Sequence, residues 1–479
     1  MKKTGLFKII MFVLLGIIVA TWIFSASYFS NGEVADVGMY NIGFIDFFQL
    51  LFGTFEFQYF LQIFILLVSI GALYGVLGKT GKYRAWIEKI AHNFKGNELV
   101  FLIITSVIIA VLTSVFDYSY IMFIFFPLLI SIILAMGYEK ITAAVATFGA
   151  MLVGTIGSTI SSNTSNTINE ILGVSDMSTG IIFKIVMLCL SLIVLIFYLY
   201  KSKKTRRLDR EKEDLFIGEK ISNKYSISSI IIVLCIIFVI TILACTTWDT
   251  TFGIKFFSNI NDKIMNFKPT LPYFHITVDG LDYGTEKIAI FAKIFGTVSA
   301  FGEWRFAEMG MICILSSLLL GLLYRIKLSD TLSYMADGAK KMLKPALMVL
   351  LAYTVIYFAG NTMFYPTIAA WILKSTKSFS VITSSIVMAI GSALHIDILY
   401  VANYVIPQIA GQGASDTVNM LLTQGIYGVT MFIAPTSAVL VFGLTYLEIP
   451  FKEWVKNVWR LVLALLGIVL VLTLIAMFI

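Results

Sequence analysis

Long uninterrupted runs of apolar residues dominate the chain. Those at about 6–28, 57–77, 180–200, 227–246 and 457–478 each approach the ~20 residues that a helix needs to cross a lipid bilayer. The runs are continuous rather than alternating, which is typical of membrane helices and argues against a β-barrel. The pattern therefore predicts an all-α polytopic membrane protein.

Four further apolar segments are folded back or interrupted. The stretches 98–139 and 379–409 each carry an acidic residue near the centre and are predicted as hairpins. The arms of 98–139 are just long enough either to span the bilayer twice or to form a re-entrant hairpin. The segments 141–173 and 417–447 are predicted as long helices broken by small and polar residues.

The order of these parts occurs twice along the chain. Each half contains a helix, an amphipathic arm, a hairpin with an acid at its tip, a broken helix and a closing helix. The first set starts outside and the second inside, which predicts inverted-topology repeats, each with a re-entrant hairpin and a discontinuous helix. We expect an N-terminal membrane half (1–200), a charged cytoplasmic linker (201–225) and a C-terminal membrane half (226–479).

Composition and charge support a lipid environment. Of the 479 residues, 59% are hydrophobic and 13% are charged, against roughly 25% charged residues in soluble domains. These values exclude a soluble enzyme and a nucleic-acid-binding protein. The net charge of +7 comes partly from basic stretches at 79–95, 201–224 and 452–460. The positive-inside rule places these stretches and the N-terminus in the cytoplasm of a multi-pass cell-membrane protein.

Small and polar residues interrupt the two broken helices at 154–167 and 428–437. Unwound backbone within a bilayer is tolerated where it lines a protein cavity, and the exposed helix ends offer N–H groups to anions and carbonyls to cations. The alternative is close packing of small residues between helices. The candidate substrate ligands in these breaks are Ser158, Thr159, Asn163, Thr164, Asn166, Thr436 and Ser437.

Acidic residues within apolar segments are a second indication of function. Asp117, Glu170 and Asp397 lie in segments that we expect to be buried, with no Lys or Arg at comparable depth. An acid at the bilayer centre costs at least ~2.5–3.5 kcal/mol, so each needs a partner or a function, and a protonated structural acid is the alternative. Beside them, Tyr118 and His395 are further candidates for substrate binding, His395 as a proton-linked or as a structural group.

No resident cofactor is expected, and coupling to Na⁺, coupling to H⁺ and pure exchange are the alternatives for the driving force. A hard cation selects oxygen ligands, and a broken helix exposes several of them. The candidate Na⁺ ligands are Ser162, Asn163, Thr164 and Thr436.

With these residues in view, the chain resembles the YfcC-type permeases, which are related to the C4-dicarboxylate anaerobic carriers and belong to the ion-transporter superfamily. The similarity is strongest at 126–138, Gly154–Ile160, Ala434–Leu440 and Ile449–Trp454. The resemblance implies two inverted repeats, a homodimer with a static scaffold and moving transport domains, and either arginine/ornithine exchange or dicarboxylate uptake.

Two acidic hairpin tips without an opposing cation predict a cavity of negative potential. We therefore expect a secondary active transporter of amino acids that exchanges basic substrates such as arginine and ornithine by alternating access. The alternative is a Na⁺- or H⁺-coupled C4-dicarboxylate transporter. An intramembrane enzyme with Asp117 and Asp397 as an acid pair is a remote alternative, because the chain contains no known catalytic motif. We expect no enzymatic activity.

Overall fold

The structure, a computed structural model, is nearly all α-helical. It describes residues 5–24, 26–30, 33–38, 41–160, 163–176, 178–202, 226–267, 277–278, 281–282, 290–296, 298–376 and 378–478. Of the predicted linker 201–225, all but residues 201 and 202 lie outside these ranges.

The first half is a run of helices with a short β-hairpin after the first one. Its elements are α1 (Leu6–Ile23), β1 (Ala26–Ser30), β2 (Glu33–Gly38), α2 (Asp46–Gly53), α3 (Gln58–Lys79), α4 (Tyr83–Asn93), α5 (Glu98–Phe116), α6 (Phe126–Ala135), α7 (Lys140–Ala144), α8 (Ala150–Ile156), α9 (Thr164–Leu172) and α10 (Ile181–Tyr200). The strands β1 and β2 pair antiparallel, and a π-helical turn at Val145–Gly149 joins α7 to α8.

The second half contains the longest helices. Its elements are α11 (Ser228–Cys245), α12 (Trp248–Phe252), α13 (Phe256–Met265), β3 (Thr277–Val278), β4 (Leu281–Asp282), α14 (Ile290–Phe295), α15 (Phe306–Leu323), α16 (Leu328–Gly360), α17 (Phe364–Leu373), α18 (Val381–His395), α19 (Ile398–Ala410), α20 (Asp416–Met431), α21 (Ala438–Tyr446) and α22 (Phe451–Met477).

Eight helices in the described part of the chain are long and apolar enough to cross a membrane, namely α1, α3, α5, α10, α11, α15, α16 and α22. The prediction of a multi-pass, helical membrane protein is therefore confirmed. Two boundaries differ from the predicted ones. The first helix ends at Ile23 because the β-hairpin follows. The apolar pattern predicts a helix over 345–363, whereas α16 begins at Leu328, because Pro345 lies inside a continuous helix.

Helices α3 and α16 pack along a stripe of glycines. A Cβ added at Gly338 would overlap the backbone of Gly71 and Gly75, and one added at Gly75 would overlap the backbone of Tyr334 and Gly338. Small residues allow such close contact between membrane helices. The contact places Tyr59 of α3 and Tyr353 of α16 against each other, with ring centroids 6.3 Å apart.

The two hairpins differ in length. Helices α18 and α19 have 15 and 13 residues, which is short of the ~20 that a single crossing needs. Helix α5 has 19 residues and is long enough to cross, whereas its partner α6 has 10. Both long segments are interrupted as expected. We call residues 157–163, between α8 and α9, the first break, and residues 432–437, between α20 and α21, the second break.

Candidate functional site

Each hairpin tip turns on a residue in the left-handed backbone region. Asp117 follows α5 with φ 47°, and Ile396 follows α18 with φ 34°. Non-glycine residues in this region cost about 1–3 kcal/mol and persist where the surroundings hold them. The turn at Ile396 presents Asp397 as the first residue before α19, where its Oδ1 accepts a hydrogen bond of 3.0 Å from the Leu399 backbone N–H.

Both tips and both breaks line one small space, which we call the central cavity. Asp117 and Asp397 line it from the tips, Asn163 and Thr164 from the first break and the start of α9, and Ser437 from the second break. The cavity volume is about 30 Å³, enough for about two water molecules. A larger ligand requires the tips and breaks to separate.

Helix ends of both polarities converge on this cavity. The N-termini of α9, α19 and α21 reach it, and so do residues at the C-terminal ends of α8 and α20. Helix N-termini carry partial positive charge and free N–H groups, which favour anions, whereas C-termini favour cations. The arrangement can hold a carboxylate at several points, with cations beside it.

Asp117 and Asp397 already bind donors within the protein. The Thr164 hydroxyl, at the start of α9, donates a 2.7 Å hydrogen bond to Asp117 Oδ2. The Tyr59 hydroxyl donates a 2.9 Å hydrogen bond to Asp397 Oδ2, and the Tyr353 hydroxyl lies 3.5 Å from the same oxygen. These two carboxylates are therefore held in place by donors from other helices.

The hydroxyl of Tyr353 also lies 2.7 Å from that of Tyr120, a residue of the first tip that lines the cavity. The tyrosine pair thus connects the first tip to Asp397 of the second. Tyr59 and Tyr353 are separated from the tips by long stretches of sequence, so the sequence pattern does not connect them to the acids. Their only sequence signal is a polar hydroxyl within an apolar span.

Five predicted substrate ligands line the cavity, and six lie outside its lining. Asp117, Asn163, Thr164, Asp397 and Ser437 line it. The six others in the described part of the chain are Tyr118, Ser158, Thr159, Asn166, His395 and Thr436.

Several of these six make internal contacts instead. The Tyr118 hydroxyl lies 2.5 Å from Thr246 Oγ1, and Thr159 Oγ1 lies 3.2 Å from Ser114 Oγ. His395 is buried, stacks on Tyr404 with ring centroids 4.9 Å apart, and has no hydrogen-bond partner for either ring nitrogen among the described residues. The side-chain oxygen of Asn166 is likewise buried without such a partner there.

The candidate Na⁺ ligands do not form a free coordination site in the described part of the chain. Ser162 lies outside the described residues. The Thr436 hydroxyl donates a 2.5 Å hydrogen bond to the Ala393 carbonyl. Three carbonyls at the end of α8 also have protein donors, at 2.7–3.2 Å: Ile156 from Gln424, Gly157 from Ser114 and Ser158 from Ser165. The backbone that we expected to coordinate Na⁺ is therefore already hydrogen-bonded.

The expected distribution of buried charge needs two corrections. Lys184 on α10 is fully buried, with 0% of its surface exposed, so the expectation that no Lys lies at comparable depth was wrong. It was missed because its position near the start of a predicted span is typical of a lysine that reaches the membrane surface. Glu170 is exposed, because α9 turns this side chain away from the core.

Comparison with known proteins gives the family. A model of the family DcuC, described as C4-dicarboxylate anaerobic carrier, matches residues 4–478. An uncharacterized protein of Haemophilus influenzae is 23% identical over 448 residues, which cover 87% of this chain and 76% of that protein.

Two solved structures are similar over most of their length at low TM-score. One is the YdaH transporter of Alcanivorax borkumensis, at 14% identity and a TM-score of 0.40, covering 97% of each chain. The other is MtrF of Neisseria gonorrhoeae, described within a class of antimetabolite efflux pumps, at 12% identity and a TM-score of 0.40, covering 99% of this chain and 95% of MtrF.

The family match supports the dicarboxylate alternative better than the expected exchange of basic amino acids. It is also a family of carriers and not of enzymes. The protein is a multi-pass membrane transporter, and it belongs to the DcuC family of C4-dicarboxylate anaerobic carriers.

Proposed function

We propose that this protein is a secondary active transporter that moves C4-dicarboxylates such as succinate or malate, coupled to H⁺ or Na⁺. The observation that carries the proposal is the convergence of the N-termini of α9, α19 and α21 on one cavity. It agrees with the family to which the chain belongs.

The donors at these helix ends suit carboxylates. At α9 the Thr164 hydroxyl bonds a carboxylate, that of Asp117, and at α19 a backbone N–H bonds the carboxylate of Asp397. Helices α9 and α21 belong to different halves of the chain, so their N-termini offer two separate positions for anions. A linear substrate with a carboxylate at each end matches two such positions.

Charge explains why transport would be coupled to cations. A dianion that enters beside Asp117 and Asp397 is repelled by about 3 kcal/mol per pair of unit charges at ~5 Å and an effective dielectric constant of ~20. Protons or Na⁺ that bind with the substrate remove most of this repulsion. Co-transport of cations with the dianion is therefore what we expect from the two acids that line the central cavity.

Exchange of basic amino acids is the second candidate, because both acids line the cavity and a guanidinium or ammonium group would pair with them. Two observations weigh against it. Asp117 and Asp397 are already hydrogen-bonded within the protein, and Lys184 adds positive charge behind the first break.

The proposal also includes the arrangement of the two halves, their orientation in the membrane and the oligomeric state. We infer two inverted repeats, 1–200 and 226–479, joined by the charged segment 201–225, with the N-terminus and the basic stretches in the cytoplasm. We further infer a homodimer in the cell membrane. Alternating access would separate the tips from the breaks, first on one side of the membrane and then on the other.

Uptake by purified protein in proteoliposomes tests the substrate. We expect saturable uptake of radiolabelled succinate, stimulated by an imposed H⁺ or Na⁺ gradient, inhibited by excess malate or fumarate and unaffected by arginine. Protein-free vesicles and the Asp397→Asn variant serve as controls. Rapid arginine uptake exchanged for internal ornithine, with no succinate uptake, would replace the proposal by the second candidate.

A further inference from the structure

Lys184 is a buried cation with an unusual set of neighbours. It is the fourth residue of α10, and its Nζ lies 3.4 Å from Ser165 Oγ. Among the described residues, no carboxylate lies within 4 Å of this ammonium group. Burying an ammonium group without a carboxylate is costly, so its retention calls for an explanation.

The neighbours place this ammonium group at the first break. Ser165 is the second residue of α9, and its hydroxyl donates a 3.2 Å hydrogen bond to the Ser158 carbonyl, which lies within the break. One turn beyond Lys184, Leu188 packs so closely on the break that a Cβ added at Gly157 would overlap it. Helix α10 therefore lies directly against the unwound backbone.

The oxygens here are of the type that coordinates a monovalent cation, and in this structure they are hydrogen-bonded to each other, and the Ser165 hydroxyl also to the ammonium group. A hydroxyl and a carbonyl from the two sides of a helix break lie together, and Thr164, the neighbour of Ser165, lines the central cavity. The positive charge beside them is carried by a side chain.

We propose that the Lys184 ammonium group is a tethered cation that supplies, at the first break, the positive charge that a bound Na⁺ would otherwise supply. The first break then holds an anionic substrate without a Na⁺ of its own. The identity of that anion rests on the proposed function, whereas the replacement of Na⁺ by the ammonium group does not. Any coupling ion would bind elsewhere in the cavity.

The thermal stability of purified protein tests this replacement without transport. We compare wild type, Lys184→Ala and Lys201→Ala in NaCl and in choline chloride at equal ionic strength. Lys201→Ala is the matched control, because it removes a lysine just beyond the other end of α10. We expect Lys184→Ala to have a lower melting temperature in choline and to regain at least half of the loss in Na⁺. The control should respond to Na⁺ as wild type does, to within about 1 °C, because neither protein has gained a binding site.

A second variant, Lys184→Ser, places an oxygen in the vacated space and serves if the alanine variant does not fold. A Na⁺ response in the Lys184 variant no larger than that of wild type would overturn the proposal and leave Lys184 as a structural residue. If both Lys184→Ala and Lys184→Ser fold and neither responds to Na⁺ more than wild type does, the proposal is wrong.

Measurements of succinate uptake test whether the Lys184 ammonium group also contributes to substrate transport. In choline, Lys184→Ala should take up succinate at least tenfold more slowly than wild type, and Na⁺ should raise the rate of the variant at least fivefold more than that of wild type. Equal Na⁺ stimulation of both proteins would contradict the proposal. If wild type takes up no dicarboxylate under any condition, the proposed function fails, and the thermal measurement still decides the role of Lys184.

Discussion

Asp397 is the buried acid at the second tip of the candidate site. It accepts hydrogen bonds from Tyr59 on α3 and from the backbone of α19, and only 4% of its surface is exposed. The oxygens of a buried carboxylate need hydrogen-bond donors, because burying them without donors costs free energy of folding. The same donors fix the position of this acid relative to Asp117, so the electrostatics of the cavity depend on residues outside it.

Replacing Tyr59 by Phe should therefore be costly. The substitution removes the 2.9 Å hydrogen bond to Asp397 Oδ2 while preserving the ring contacts with Phe60 and Phe306. We expect a destabilisation of about 1–3 kcal/mol, the usual cost of leaving a buried polar group with a missing partner. Thermal unfolding in detergent measures it, with Tyr200→Phe as an exposed control. Equal stability of the two variants would show that this hydrogen bond is unimportant.

His395 should tolerate a purely aromatic replacement. Its ring stacks on Tyr404 and meets Tyr365 edge-on, with centroids 5.2 Å apart, and neither nitrogen has a hydrogen-bond partner in the described part of the chain. His395→Phe keeps the ring contacts and removes two desolvated nitrogens. We expect unchanged or higher thermal stability and uptake within about twofold of wild type. A folded variant without uptake would assign His395 a proton-linked role.

The sequence identified these acids correctly as unusual, because a carboxylate in an apolar segment is visible without any structure. It did not identify Lys184, because the burial of a residue near the start of a span depends on which helix covers it. Here α9 covers it, through Ser165. It also could not place Tyr59 or Tyr353, since their role arises only where α3 and α16 meet the second tip.

At the scale of elements, the close contact of α3 and α16 determines where these tyrosines lie. The contact rests on Gly71, Gly75 and Gly338, where no side chain fits between the helices. Most spans were predicted to within a few residues from apolar length alone. The β-hairpin of β1 and β2 was not predicted, because β1 continues the apolar run of the first helix. Helix α16 was predicted too short, with Pro345 as its first residue, whereas Pro345 lies inside the helix.

Gly338→Val should separate α3 from α16. The added side chain would overlap the backbone of Gly71 and Gly75, and overpacking of this kind costs about 1–3 kcal/mol or more. We expect a lower melting temperature and a loss of uptake larger than the loss of folded protein, because Tyr59 moves away from Asp397. Gly16→Val, at a glycine of α1 with nothing within 4 Å, is the matched control. Normal uptake by Gly338→Val would mean that the tyrosines do not need this contact.

At the scale of the whole molecule, the two halves contribute matching parts to one cavity. Each supplies a tip with an acid and a helix N-terminus after a break. The order of parts in the sequence predicted these components. Inverted repeats also predict that the tips and breaks of the two halves approach each other. Which of their side chains line the cavity could not be derived from the sequence, since it depends on tertiary packing between segments almost 300 residues apart.

Two acids in a cavity that receives a dianion imply coupled transport. We expect an inward gradient of H⁺ or Na⁺ to accelerate succinate uptake at least fivefold, because the co-bound cations remove repulsion of several kcal/mol. The Asp397→Asn variant should lose most of this stimulation while remaining folded. Stimulation that is unchanged in the variant would place the coupling site elsewhere.

Substrate protection of cysteines at the two breaks tests most directly whether they form one dicarboxylate site. Asn163→Cys and Ser437→Cys line the cavity from different halves, and each is made in a protein whose exposed Cys189 and Cys235 are replaced by serine. The rate of labelling by a small thiol reagent is measured with and without succinate, with Ser178→Cys in an exposed loop as control. If the two breaks form one dicarboxylate site, succinate slows labelling at both positions at least fivefold, arginine does not, and the control is unaffected. Protection by arginine alone, or succinate uptake with no protection at either break, would contradict the presence of such a site.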